Sequence, residues 1–183
     1  RTADGKGDRL MPATLAADMR RRIVGVVESL HRRVPLAPGM PSAELARALP
    51  HGTPAWLIRY ALQGLTEEGA LTRRGDFIAS PASSTELSGE LLTEARRIIG
   101  LVEAEGFQGV ELPVPGVRRE DIQALADRGM LLRLKEDLLT TLEMMAGAEE
   151  IVRKTFGDDG FRLGEFREAL GVSRKLALIW AEA

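Results

Sequence analysis

The 183-residue chain carries 25 Lys and Arg against 27 Asp and Glu, with 44% hydrophobic and 28% charged residues. That is the make-up of an ordinary soluble protein with enough apolar residues for a core, in one large domain or two to three small ones. The absence of cysteine excludes disulfides, thiolate zinc sites and cysteine nucleophiles, and no apolar run reaches the roughly 18 residues that span a bilayer, so a cytoplasmic protein with no membrane partner is expected.

Residues 1–12, from Arg1 to Pro12 with Gly5 and Gly7, show no periodicity and read as a linker or the remainder of a preceding domain. A first winged-helix unit is expected over 13–83. Met19, Ile23, Val26, Val27 and Leu30 recur at helical spacing until the Pro35, Pro38, Gly39 and Pro41 cluster breaks the pattern. Ser42 is placed to cap a short second helix carrying Leu45, Ala48 and Leu49. Thr53 caps a third helix with Pro54 in its first position and Leu57, Ile58, Ala61, Leu62 and Leu65 as its stripe. After Gly69, the segments 70–73 and 77–80 alternate around Arg74-Gly75-Asp76, the signature of a hairpin. An Arg-Gly-Asp tripeptide also invites an adhesion reading, but a hairpin tip accounts for it here.

The scheme returns over 84–141. A helix with Leu91, Leu92, Ala95, Ile98, Ile99 and Val102 is followed, past Gly106 and Gly109, by a loop holding Pro113 and Pro115 where the first unit has room for another helix; one helix should be shortened or absent. A helix around Arg119 to Asp127 then leads through Gly129 into a second hairpin, 130–134 and 138–140, around Lys135-Glu136-Asp137. This recurrence at about 60 residues is an internal repeat.

A third, incomplete unit follows over 142–183. It begins with a helix from Leu142 to Phe156 and a turn at 157–160, then a short strand at Phe161-Arg162-Leu163, a helix from Gly164 to Leu170, and a last helix capped by Ser173 and carrying Leu176, Ile179, Trp180 and Ala183. No wing follows, so the chain reads as a piece of a longer protein, and the face a wing would cover should be open. The fold class is mostly α with small β-hairpin wings, in tandem winged-helix repeats.

Charge is unevenly shared. Residues 1–82 hold 12 Lys and Arg against 8 acids, 83–141 hold 7 against 11, and 142–183 hold 6 against 8, so the middle is a poor polyanion binder. His31 and His51 lack a second His at an i, i+4 spacing and suit surface or capping roles. No nucleophile–base set or paired carboxylates stand out, so no catalytic residue is assigned and the chain is not expected to be an enzyme. Around the last helix, Ser173, Arg174 and Lys175 put a hydroxyl and two cations beside free backbone amides at the positive end of a helix, with Arg167 one helix earlier. This pattern alone fits either an anion site or a plain cap with two solvated charges. The basic pairs at 20–22, 32–33, 73–74, 96–97 and 118–119 read as solvated faces.

The segment FRLGEFREALGVSRKLALIWAEA resembles the last winged-helix unit of bacterial selenocysteine-specific elongation factors, through Arg167, Leu170, Gly171, Ser173, Arg174, Lys175 and Ala177. Upstream, LHRRVPLAPGMPSAEL is similar to the same family at His31, Pro35, Leu36, Gly39, Glu44 and Leu45. The resemblance implies an RNA-binding arm recognising the selenocysteine insertion hairpin (SECIS) of an mRNA, with Ser173, Arg174, Lys175 and Arg167 as the contacting residues and the ribosome as a further partner. It also implies that the GTPase body, with its GTP, Mg and selenocysteinyl-tRNA, lies outside this chain; no G-x-x-x-x-G-K-[ST] occurs in it, and no cofactor is expected within it. The compressed middle unit and the absent last wing depart from the family. The competing reading is a tandem winged-helix DNA-binding regulator or chromosome-associated scaffold, since this fold does not by itself disclose its ligand.

Overall fold

In the computed structural model the described residues are 2–3, 10–81, 83, 87–157 and 160–183, and for 2–3, 10, 11 and 136 the backbone alone is described. The chain divides into two compact lobes, Arg1–Leu87 and Ser88–Ala183. Strands β1 (Thr2–Ala3) and β2 (Leu10–Met11) pair antiparallel, Thr2 with Met11 and Ala3 with Leu10. The aperiodic opening residues give no sign of that ribbon.

The first winged helix consists of α1 (Ala13–Arg33), β3 (Met40–Pro41), α2 (Ser42–Ala48), α3 (Ala55–Glu67), β4 (Thr72–Arg74) and β5 (Phe77–Ala79). Met19, Ile23 and Val27 of α1 pack on Leu57, Ala61 and Leu65 of α3, with Leu45, Leu71 and Ile78 closing the same core. Each such fully buried aliphatic side chain is worth about 1.5–3 kcal/mol. The wing is a three-stranded sheet ordered β3-β5-β4, in which Ile78 of the central strand faces both Met40 and Arg73. Its two-residue turn uses Gly75 at φ 55°, a left-handed conformation that glycine enters without steric cost.

Two capping assignments change. Ser42 caps nothing: its hydroxyl and its amide both donate to the Asp76 carbonyl, each at 2.9 Å, tying the start of α2 to the wing tip. Thr53 likewise turns back, donating through Oγ1 to the Pro50 carbonyl at 2.6 Å, and Pro54 occupies the N-cap position, one residue earlier than expected.

The second lobe repeats the plan. It holds α4 (Gly89–Ala104), a 3-10 turn at Gly106–Gln108, β6 (Val110–Glu111), α5 (Arg119–Asp127), β7 (Leu132–Arg133), a second 3-10 turn at Lys135–Asp137 and β8 (Leu138–Thr140). No α-helix forms among residues 105–118, and β6-β8-β7 reproduces the order of the first wing, with Val110 beside Leu139 and Arg133 on its other side. In both units a glycine precedes the first strand and lies against the central one. A Cβ on Gly39 would come within 2.8 Å of the Ile78 carbonyl oxygen, and one on Gly109 within 2.8 Å of Leu138 Cδ1.

The lobe ends with α6 (Leu142–Phe156), α7 (Leu163–Leu170) and α8 (Arg174–Ala181). The strand expected at Phe161-Arg162-Leu163 does not form. Leu163 is already helical, and among the described residues no strand pairs with 161–162, so the extended segment has no ladder to satisfy its backbone. The expected turn at 157–160 includes Asp158 and Asp159, which lie outside the described residues. Phe166, Leu170, Val172, Ala177 and Trp180 form the core here, with Ala148 of α6 and with Phe107 and Leu134 from the preceding repeat packed against it. Beside it an apolar hollow of about 420 Å³, lined by Met145, Ala148, Val152, Phe161, Phe166 and Trp180 among others, remains open.

Candidate nucleic-acid interface

Helix α8 begins where the sequence places it. Gly171 adopts the left-handed conformation, φ 67°, that ends α7, and the Val172 amide donates to the Arg167 carbonyl at 3.2 Å. Val172 is buried, whereas Ser173, Arg174 and Lys175 are exposed. Ser173 is the N-cap: its Oγ accepts from the Leu176 amide at 3.2 Å. The amides of Arg174 and Lys175, in the same first turn, have no intrahelical acceptor and point toward the side where an anion would sit.

The charges there oppose the helix. Cations at a helix N-terminus interact unfavourably with its dipole by a few tenths of a kcal/mol, and the first turn of α8 has no acidic residue to offset them. Arg174 has no ion-pair or hydrogen-bond partner among the described residues. Lys175 sits 3.9 Å from Glu111, both largely exposed, a weakly held pair that an incoming phosphate can replace. Arg167 is exposed but pairs with its neighbour Glu168 at 3.0 Å. The structure thus brings Ser173, Arg174 and Lys175 onto one turn and leaves the Arg167 guanidinium committed elsewhere.

The preceding repeat holds this turn in place. Gln108 Nε2 donates to the Gly171 carbonyl at 3.0 Å, Trp180 Nε1 donates to the Phe107 carbonyl at 2.8 Å, and Lys135 pairs with Glu182 at the far end of α8. The Phe107 and Trp180 rings meet edge to face, 5.6 Å between centroids and 84° between planes. Sequence reading missed Gln108 and Glu111, for they lie in the compressed 3-10 and β6 segment, which has no periodicity to mark it.

Most arginine clusters are neutralised where they stand. Arg20 reaches Glu68 at 2.6 Å, Arg21 pairs with Asp18, Arg32 with Glu28, Arg97 with Glu94, and Arg118 with Asp121. The last pair is two-pronged, at 2.7 and 2.8 Å, and the Asp121 carboxylate raises the Arg118 guanidinium above its ordinary pKa. Among the described residues no group of three or more His, Cys, Asp or Glu could hold a metal, and no helix is long and apolar enough to cross a membrane.

The class these features define is a tandem winged-helix protein, mostly helical with small antiparallel wings. Residues 25–79 match the family model described as "Elongation factor SelB, winged helix". The fold is similar to that of the crystal structure of a bacterial selenocysteine-specific elongation factor, EF-Sec, with a TM-score of 0.55 over 91% of this chain at 14% identity. The chain spans 26% of the length of that factor. No curated protein matches. The family match covers residues 25–79, and over the rest of the chain the likeness is one of fold.

Proposed function

We propose that the chain is the mRNA-binding arm of a selenocysteine-specific translation elongation factor. It tethers the factor's GTPase and selenocysteinyl-tRNA to a selenocysteine insertion hairpin so that UGA is recoded on the ribosome. The observation that carries this reading is the match of residues 25–79 to the SelB winged helix; the terminal helices supply the contact. A duplex RNA stem hides its base edges in a deep, narrow groove, so a protein reads its phosphates, 2′-hydroxyls and splayed loop bases. The first turn of α8 suits the phosphates: two cations and a short hydroxyl side chain converge at a positive helix end. Arg167 joins when Glu168 releases it. GTP and Mg belong to the GTPase body, so the part played by this chain is binding without catalysis.

The test is binding of the 183-residue chain to a selenocysteine insertion hairpin, a scrambled hairpin and duplex DNA at two salt concentrations. Arg174→Ala/Lys175→Ala is expected to weaken hairpin binding about tenfold and to lower the slope of log K against log salt by about two. Equal affinity for DNA and hairpin would favour a DNA-binding regulator instead.

A further inference from the structure

We infer that Glu111 of the second repeat is the residue by which the α8 turn tells RNA from DNA: its carboxylate accepts a hydrogen bond from a ribose 2′-hydroxyl beside the phosphate held by Arg174 and Lys175. The inference rests on the reading of this turn as an RNA contact and gives that contact its selectivity.

The second repeat lies in the acidic stretch of the chain, with 7 Lys and Arg against 11 acids over 83–141, yet it reaches the cationic turn. Glu111 Oε1 lies 3.9 Å from Lys175 Nζ, and the Glu111 side chain is 70% exposed, open to a ligand. Its backbone is fixed on two sides. β6 pairs with β8, placing Glu111 opposite Leu138. Just upstream, Gln108 Nε2 donates to the Gly171 carbonyl at 3.0 Å, and the Phe107 carbonyl accepts from Trp180 Nε1 at 2.8 Å. The segment 107–111 is thereby fastened to the α7–α8 corner, and Glu111 stays beside Lys175 when Lys175 takes a phosphate.

That placement is unfavourable for a bare polyanion. A phosphate oxygen on Lys175 sits about 2.8 Å from Nζ, hence within about 7 Å of the Glu111 carboxylate, inside the Debye length of about 8 Å at physiological salt. Two anions this close repel, and the carboxylate recovers the loss when it gains a hydrogen-bond donor. An ionised carboxylate only accepts, and in RNA each ribose carries a hydroxyl donor next to its phosphodiester. DNA has no such donor. RNA therefore exchanges the repulsion for a hydrogen bond, and the 2′-hydroxyl is the group by which a protein separates the two backbones. The Lys175–Glu111 pair itself, exposed on both sides, adds little to stability.

The test measures binding of the full chain to a selenocysteine insertion hairpin and to the same RNA with 2′-fluoro in place of each 2′-hydroxyl, which keeps the A-form shape and removes the donor. The wild-type chain is expected to prefer the hydroxyl form about tenfold. Glu111→Ala is expected to cut that preference to about twofold, chiefly by tightening the 2′-fluoro form, with the melting temperature unchanged. A wild-type chain that binds both forms equally, or a preference undiminished in Glu111→Ala, overturns the inference and leaves the RNA-arm reading standing. Binding to neither form overturns that reading and this inference with it. Wild-type affinity for both forms in Arg174→Ala/Lys175→Ala moves the contact away from α8 and overturns the inference as well.

Discussion

The first winged helix closes on its own sheet, whereas the terminal helices close on a neighbour. In the first unit Ile78 and Leu71 of the wing complete the core made by α1 and α3, and Ser42 fastens α2 to the hairpin tip. Among the described residues, 142–183 contain no strand, and the terminal core is packed by Phe107 and Leu134 of the preceding repeat, with Gln108 and Lys135 binding the two ends of α8. The glycines mark the same contrast. Gly39 and Gly109 each press on a central wing strand, while Gly160, at the same place before 161–162, has open space around it.

That comparison can be broken most forcefully at Trp180. Trp180→Ala removes the buried ring, its edge contact with Phe107 and its hydrogen bond, and is expected to cost the second lobe about 3–5 kcal/mol. Hydrogen exchange should rise in 105–111 as well as in 163–181 and stay unchanged in 13–79; faster exchange confined to α8 would mean that the second repeat does not complete the terminal core. Ile78→Ala is the counterpart in the first unit. It should cost about 2–5 kcal/mol, read by urea unfolding, with α1 and α3 losing protection together. Ser173→Ala sharpens the account at the site itself: loss of the cap should cost about 1 kcal/mol and leave the salt slope of hairpin binding unchanged, because no charge is removed.

Much of this fold was legible because its signals are local. The stripe of Leu57, Ala61 and Leu65, the Gly75 turn and the span of α5 need only periodicity and turn chemistry. The two-residue strands β3 and β6 were not legible, since each exists only through its pairing with a wing strand. The same holds for Ser42, whose hydroxyl finds a carbonyl 34 residues away in preference to the nearby helix amides. At the candidate site Ser173 was legible as a cap, whereas the pairing of Arg167 with Glu168 shows only in the fold. The meeting of Arg20 with Glu68 was not legible either, since the two lie 48 residues apart.

The most direct test of the central claim is hydrogen exchange of the full chain with and without a selenocysteine insertion hairpin. The account predicts new protection at 171–176, strongest at the Arg174 and Lys175 amides and lost in Arg174→Ala/Lys175→Ala. Protection absent from the α8 turn while the hairpin is bound would contradict it.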